Sequence, residues 1–451
     1  MSHACALPAA RGLTPVLPVV AVVALLALPV APGGEGGATL ADAASGVVVL
    51  CCAVRLLRYR RRPLSRTAAV VLGLPVVGFA VAATGAATPG AAVAGFGRYL
   101  QIFVLVPAAV LLLVRDRRDL RLLVWSMVGL AVWQGALGVH QYATGTGASY
   151  TGRDIRAVGT FGPGDIMGMA TVVSFGLVCA VGLALGPASV RQRVWAGVCA
   201  LLLVMPLAVS FSRGAWIATA LACGAQLVLA GLRRAVKAGA VVAAVAVILV
   251  GGFGVGSTLL EQRLSSIGRV ADAPDQSVTD RYTMWAAATD MWRERPLTGV
   301  GLKGFPDHRD GHASLALSSG SDTEGASAAY RKQPLLSPHN MYLLVLSEQG
   351  LIGLLTLAGS WLALLVLGLR RLLRARGAND PGLDCALVSC GLLVWQLIDF
   401  VYADIGGPST VLSAVCFGLT AWWALASPDP AVAEQAPVSP GPAVAEEAPA
   451  R

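Results

Sequence analysis

Long apolar stretches alternate with short polar connections along almost the whole chain. Each stretch is about 20 residues long, the length that an α-helix needs to cross the hydrocarbon core of a bilayer. The pattern predicts twelve membrane-spanning helices, at about residues 15–32, 38–56, 67–84, 93–114, 120–139, 165–186, 194–211, 214–231, 238–257, 340–369, 384–403 and 408–426. We therefore expect an all-α, polytopic membrane protein.

The connections between these stretches separate by charge. Five of them are rich in arginine and lysine and fall on every second connection, at residues 55–66, 115–121, 191–193, 233–237 and 370–376. Because positively charged loops are retained on the cytoplasmic side, these five are predicted to lie inside. Residues 33–37, the loop at 140–163, the turn at Ser212–Arg213 and the long loop at about 258–338 then lie outside.

This topology divides the chain into five regions. They are a cytoplasmic N-terminus, nine spans, an extracytoplasmic loop domain, three further spans and a cytoplasmic tail, at residues 1–14, 15–257, 258–338, 339–426 and 427–451. The tail is rich in Pro, Ala and Glu and is predicted to be disordered. The first span could instead be a signal sequence, since Arg11 precedes it, but we favour its retention.

The composition agrees with a membrane protein. The chain is 56% hydrophobic and 13% charged, against roughly 25% charged residues in soluble domains. The net charge of +9 comes mostly from the five inner loops, so it does not indicate a nucleic-acid partner. The nine cysteines lie in or near apolar stretches or at the N-terminus, and no disulfide framework is expected.

Within the long outer loop, residues 279–296 have the pattern of a helix. Thr279 is a suitable N-cap, and Arg281, Trp285 and Trp292 share one face. Two explanations for this face stay open. The tryptophans could lie at the membrane interface, or the helix could pack on the protein's own loop.

Three other segments carry candidate chemistry. The GVGLKG segment (299–304) follows a helix rather than a strand, so we expect a tight turn instead of a dinucleotide site. The DHRDGH segment (307–312) offers metal-ligand residue types, but its spacing matches no zinc pattern and we favour a solvated loop. Arg213 could anchor a helix end. Because it lies on the side where positive charge is rare, it is also a functional candidate.

The segment SPHNMYLLVLSEQGLIG (337–353) is predicted to start a helix at Ser337 and to carry His339 in the first turn, facing outward. Gly350 and Gly353 would follow on nearly the same face and form a slot for a lipid chain or a closely packed helix. The helix N-terminus would keep the imidazole neutral, as a general base requires. Alternatively, the histidine only binds a loop and the glycines serve packing.

These residues carry a family resemblance. HN, nine residues and then GLIG (339–353) are similar to the signature of the O-antigen ligase and polymerase superfamily. Three further blocks resemble that family in the expected order: RAVGTFGPGD (156–165), SRGAW (212–216), and the RYTMW helix with PLTGVGLKGF (296–305). The chain departs from the family where GPGD replaces a frequent asparagine and where Leu354 replaces an aromatic or hydroxyl residue.

The resemblance implies a GT-C-like glycosyltransferase of the plasma membrane, which moves a glycan from a polyprenyl-diphosphate carrier to a hydroxyl of a glycan, lipid or protein acceptor. By motif match, Arg213 and Arg281 hold the diphosphate and His339 is the catalytic residue that activates the acceptor. Asn340 and Arg156 are further substrate-binding candidates. Two guanidiniums can bind a diphosphate bidentately, so no metal and no cofactor are expected.

The alternative function is a multi-span transporter of small anions or of lipid-linked sugars. A transporter is expected to place ionisable residues near the bilayer midplane, whereas the prominent charges here are predicted at the outer face. A structural scaffold would leave Arg213, Arg281 and His339 without a role. The sequence leaves open whether a transferase would act as a ligase or as a polymerase.

Overall fold

A computed structural model describes residues 15–30, 39–59, 64–150, 155–187, 189–231, 233–237, 239–240, 276–325, 328–333 and 335–426. Its helices are α1 (Leu17–Leu25), α2 (Leu40–Tyr59), α3 (Arg66–Thr84), α4 (Pro89–Leu100), α5 (Val106–Leu113), α6 (Arg117–Thr144), α7 (Gly168–Leu185), α8 (Val190–Val209), α9 (Arg213–Ala230), α10 (Gln276–Glu294), α11 (Phe305–His312), α12 (Met341–Gly377), α13 (Leu383–Asp399) and α14 (Thr410–Leu425). A π-helical turn, Gln101–Leu105, joins α4 to α5, and a 3-10 helix, Gly159–Asp165, precedes α7.

The predicted class is confirmed. Within the described parts of the chain, eight helical segments are long and apolar enough to cross a membrane. The ninth predicted span, 238–257, lies outside the described residues apart from 239 and 240, as do the two predicted terminal regions. The first span was predicted too long. Helix α1 has 9 residues, because the chain turns after Leu25, where Leu28 N donates to Leu25 O at 3.2 Å, and Pro29 follows.

Ion pairs gather several of the basic loops at one end of the bundle. Arg117 Nη1 lies 2.7 Å from Asp380 Oδ1, and Arg121 Nε lies 2.6 Å from Asp384 Oδ2. Arg376 donates to the carbonyls at the C-terminal end of α9. The loops 115–121 and 370–384 and the end of α9 therefore lie together, as expected for loops on the same side of a membrane.

At the opposite end, a small antiparallel sheet joins two predicted outer loops. Its strands are β1 (Ala148–Tyr150), β2 (Ile155–Arg156), β3 (Ser321–Gly325) and β4 (Ala328–Gln333), in the order β2-β1-β3-β4. The sequence patterns do not predict this sheet. The strands are short, and β1 pairs with β3 across more than 170 residues of chain, Tyr150 opposite Thr323, so no local pattern marks them.

Buried aromatic rings support this second end from beneath. Phe103, from the π-helical turn, packs against Trp361, Phe400 and Phe417, with ring centroids 5.6, 6.4 and 5.6 Å away. Such rings bury large areas, and offset or edge contacts add to that stabilisation. Phe400 belongs to this cluster and is also the first residue after α13. The cluster therefore holds the start of the short α13–α14 loop in place.

Helix α12 is broken at Gly350, contrary to the prediction of one continuous helical face. The backbone of Gly350 has φ of 64° and ψ of −163°, a conformation that is essentially restricted to glycine. The segment that follows α10 packs into this break, so Gly350 does not line a slot for a lipid chain. Gly353 does face a closely packed helix, since a Cβ on Gly78 of α3 would lie 2.7 Å from Gly353 Cα.

Candidate functional site

The segment before α12 begins its helix later than predicted. Asn340, not Ser337, is the N-cap, and its side-chain oxygen accepts from Leu343 N at 3.0 Å. Met341 N donates to Phe400 O at 2.8 Å and to Ala403 O at 3.0 Å, which fixes the helix start against the α13–α14 loop. His339 therefore precedes the cap instead of lying in the first turn. Asn340 is buried and uses its oxygen for capping.

His339 has an unusual backbone conformation for a residue with a side chain, with φ of 48°. Left-handed backbone in a non-glycine residue costs free energy and persists where the surroundings enforce it. Here the enforcement comes from the Asn340 cap behind it and from Ser337, whose hydroxyl oxygen lies 3.4 Å from His339 N. The side chain is 45% exposed at the end of the bundle.

Asp404, in the loop between α13 and α14, faces His339. One of its carboxylate oxygens, Oδ2, lies 3.9 Å from His339 Nδ1 and also accepts a hydrogen bond from the Ser337 hydroxyl. The other, Oδ1, accepts from Gly406 N at 2.9 Å. The carboxylate is therefore held beside the imidazole, at a distance that favours electrostatic attraction rather than a direct hydrogen bond.

Arg281 approaches the same histidine from α10. The buried face of this helix is formed by Asp280, Thr283, Met284, Ala287, Ala288 and Met291, so α10 packs on the protein, the second of the two explanations left open. Trp285 Nε1 donates to Pro338 O at 2.8 Å and anchors α10 beside His339. The helix begins at Gln276, three residues before the predicted cap.

The electrostatic surroundings of His339 favour the neutral ring. Burial against the surrounding protein has the largest effect and lowers its pKa below the ordinary value of 6.5; the carboxylate of Asp404 raises the pKa, and the guanidinium of Arg281 lowers it. Because the side chain is 45% exposed, water weakens each of these effects. A neutral imidazole at pH 7 can accept a proton.

Arg213 lies at the start of α9, behind the Ser212 cap, which accepts from Ala215 N at 3.3 Å. Its side chain is exposed, and the structure gives it no ion pair or hydrogen bond with a described residue. The next residue, Gly214, packs on Tyr402: a Cβ there would lie 3.2 Å from Tyr402 Cβ. Arg213 therefore lies at the rim of the loop that carries Asp404.

Arg156, the last residue of β2, is half-buried near the same end of the bundle. Its neighbour Ala157 donates to Val209 O at 3.3 Å, at the end of α8 just before the turn that carries Arg213. Two of the sequence blocks are thus adjacent in space. Asp165, in the same block as Arg156, accepts from the Ser409 hydroxyl at 3.3 Å and so also packs on the α13–α14 loop.

The DHRDGH segment is helix α11 rather than the predicted solvated loop. His308 Nδ1 is 2.9 Å from Gly304 O, His312 Nδ1 is 2.8 Å from His308 O, and His312 Nε2 pairs with Glu294 at 3.0 Å. Both rings are therefore engaged in local contacts. Over the described ranges, no three His, Cys, Asp or Glu side chains are grouped as metal ligands would be, and the expectation of a metal-free site stays a prediction.

Sequence reasoning missed Asp404 and Glu348. Asp404 stands in the short connection VYADIGGP between the last two apolar stretches, where an acidic residue outside the bilayer attracts no attention. Glu348 is the single acidic residue within the SEQG turn of α12, and it is 2% exposed. An ionisable residue inside a predicted span is a functional candidate by default, and that indication was available in the sequence.

The fold and this site define a multi-pass membrane protein with a half-exposed histidine, a facing carboxylate and two arginines at one end of its helices. The O-antigen ligase family model matches residues 197–358, a range that contains Arg213, Arg281, His339 and Asn340 but not Arg156. The match confirms the resemblance to the O-antigen ligase and polymerase superfamily. That family implies a glycosyltransferase-type enzyme that acts on lipid-linked glycans in polysaccharide assembly. None of the curated proteins matches the chain.

Proposed function

We propose that this protein transfers a glycan from a polyprenyl-diphosphate carrier to an acceptor hydroxyl at the outer face of the plasma membrane, in cell-surface polysaccharide assembly. One observation carries the proposal: His339 lies 3.9 Å from Asp404, and the charge of Arg281 acts on the same ring. A base beside a cationic group is the arrangement that attack on a diphosphate-linked sugar requires.

We propose the following roles. His339 accepts the proton of the acceptor hydroxyl, and Asp404 stabilises the imidazolium that forms. The hydroxyl oxygen then forms a bond to the anomeric carbon, and the bond from that carbon to the diphosphate oxygen breaks. The leaving diphosphate keeps the electron pair. Arg281 and Arg213 hold its growing negative charge through bidentate hydrogen bonds. The proton on His339 passes to water, since the ring is half-exposed.

The test separates binding from turnover. General-base assistance contributes about 10²–10⁴-fold, so His339→Ala is expected to lower turnover by that factor while leaving binding of the lipid-linked donor nearly intact. Purified protein, a labelled polyprenyl-diphosphate glycan and separate binding and transfer assays give both numbers. His312→Gln is the matched control, a histidine at the same end that pairs with Glu294, and it is expected to retain activity.

Two results would contradict these roles. Normal turnover of His339→Ala would make the histidine a structural residue. Loss of donor binding in that variant would make it a ligand of the diphosphate, together with the arginines. The residue that activates the acceptor would then have to be sought elsewhere.

A further inference from the structure

The break in α12 is filled by a specific segment of the outer loop. Residues 296–305, which we call the inserted segment, run from the end of α10 to the first residue of α11. Its first residues accept hydrogen bonds from α12: Leu351 N donates to Pro296 O at 2.8 Å and Ile352 N to Leu297 O at 3.2 Å. Helix N–H groups that the break leaves without an intrahelical acceptor are satisfied in this way.

The same segment also caps the carbonyls on the other side of the break. Val300 N donates to Ser347 O at 2.8 Å, and Gly301 N donates to Glu348 O at 3.0 Å. The inserted segment is therefore hydrogen-bonded to both halves of α12. Its glycines permit this approach, since Gly299 has φ of 66° and a Cβ there would collide with the backbone of Glu348.

Glu348 holds the far end of the inserted segment. Its Oε1 accepts from Phe305 N at 3.3 Å, and the charge of Lys303 acts on the carboxylate. The residue is 2% exposed and its Oε2 has no hydrogen-bond partner among the described residues. Burying a carboxylate to this extent inside a span costs free energy. The contacts of Glu348 to the inserted segment offset that cost.

The inserted segment connects directly to α10, the helix that carries Arg281. Helix α10 is thus fixed at two points. Its C-terminal end continues into the inserted segment, which binds α12, and Trp285, one turn after Arg281, donates to Pro338 O just before α12. His339 lies immediately before α12. The spacing between Arg281 and His339 therefore depends on how the inserted segment is held in the break.

We propose that Glu348 is a positioning residue of the transfer reaction: it holds the inserted segment in the break of α12 and thereby fixes Arg281 relative to His339. The inference rests on the proposed function, because only a reaction that uses both residues requires their spacing to be fixed. It adds a residue that does not touch the substrate and a loop whose role is geometric.

The first experiment compares two substitutions of Glu348. Leucine removes the acceptor for Phe305 N and leaves a buried donor unpaired, so turnover is expected to fall about tenfold or more. Glutamine keeps an acceptor oxygen at the same place and is expected to lose less than about threefold. If the two variants lose turnover equally, the hydrogen bond to the inserted segment is not what matters and the proposal fails.

A double-mutant cycle tests whether Glu348 acts through Arg281. If it does, Glu348→Leu is expected to change turnover by no more than about twofold in the Arg281→Ala background, because the group that it positions is already gone. A general loss of folding would instead multiply with the effect of Arg281→Ala. Additive losses would overturn the proposal.

A distance measurement makes the test independent of transferase activity. Nitroxide labels are placed at Tyr282 and Leu355, which are 62% and 67% exposed, in a version of the protein whose nine native cysteines are replaced. Glu348→Leu is expected to broaden or shift the distance distribution, and Glu348→Gln to leave it narrow. An unchanged distribution in the leucine variant overturns the positioning role, whatever the protein transfers.

A milder variant covers the case in which the leucine protein does not accumulate in membranes. Glu348→Asp withdraws the carboxylate by one methylene group and is expected to shift the distances and lower turnover in the same direction, by a smaller factor. If Glu348→Leu shifts the distances but wild-type protein transfers no glycan, the proposed function fails, whereas the structural part of the inference, that Glu348 holds α10 against α12, stands.

Discussion

Two arginines at one end of the helical bundle differ from two at the other end in what they bind. At the end with the basic loops, Arg117 and Arg121 are paired with Asp380 and Asp384 at 2.7 and 2.6 Å. At the other end, neither Arg213 nor Arg281 has an ion pair or a hydrogen bond with any residue in the described ranges. Arginine paired with carboxylates stabilises a structure, whereas arginine without a partner is available to an anionic ligand.

The carboxylates show the same difference. Asp384 is fully buried and directly bound by Arg121. Asp404 faces a histidine, Ser337 and a backbone N–H instead of an arginine. At the second end, Asp404 thus lies beside His339 with no arginine from the described parts of the chain bound to it, which suits a site where charge moves during a reaction.

The largest effect is expected when the two arginines without a partner among the described residues are removed. Arg281→Ala and Arg213→Ala are each expected to lower glycan transfer about 100-fold or more, because a group that stabilises developing charge is lost. Lysine is expected to restore little, since it lacks the bidentate fork. The measurement is transfer by purified protein, normalised to the amount in the membrane.

A matched control lies on the same helix as Arg281. Arg293 is 69% exposed on its side chain and pairs with Asp290, and Arg293→Ala is expected to leave transfer within about twofold, as surface pairs contribute little. Full activity of both Arg281→Ala and Arg213→Ala would show that these arginines only anchor their helices.

At the basic end, the same substitution is expected to affect stability instead. Arg121→Ala leaves the buried Asp384 without its partner and is expected to destabilise the protein by about 2 kcal/mol, seen as a lower temperature of unfolding. Turnover per folded molecule is expected to stay within about twofold. Arg118→Ala, an exposed neighbour on the same helix, serves as the control and is expected to change neither quantity. A loss of turnover without a loss of stability would contradict the division between the ends.

The acid side of the pH profile tests the pair of His339 and Asp404. The active base is the neutral imidazole, so turnover is expected to fall about tenfold per pH unit as pH drops through the lowered pKa of His339. Asp404 raises that pKa, so Asp404→Asn, which keeps an acceptor for Ser337, is expected to move the acid limb to lower pH. A shift to higher pH would contradict the assignment.

The smallest effect on activity is expected from a test of which side of the membrane each loop faces. With the native cysteines replaced, a cysteine at the exposed Ser314 is expected to react with a membrane-impermeant thiol reagent in intact cells, and one at the exposed Ser65 is not. Both variants are expected to keep wild-type turnover. The reverse labelling pattern would place the candidate site in the cytoplasm and exclude transfer at the outer face.

Sequence patterns alone predict the class of protein, the approximate positions of the spans and three residues of the candidate site. Apolar length and charge asymmetry are local properties, so they survive whatever the tertiary packing does. Arg213, Arg281 and His339 stand out because each is a charged or titratable residue at the edge of an apolar stretch, within blocks that resemble a family.

The packing of remote parts of the chain brings these residues together. Asp404 reaches His339 across 65 residues of chain, and a carboxylate in a short loop looks the same whether or not a histidine faces it. A glycine in an apolar stretch indicates close helix contact as readily as a break in the helix, so the sequence favoured a packing role for Gly350. The break at Gly350 depends on a distant loop: Leu297 O accepts a hydrogen bond from α12 and Val300 N donates one to α12, where the broken helix has no partner of its own. Backbone pairing between remote segments leaves no periodic pattern in the sequence of either segment.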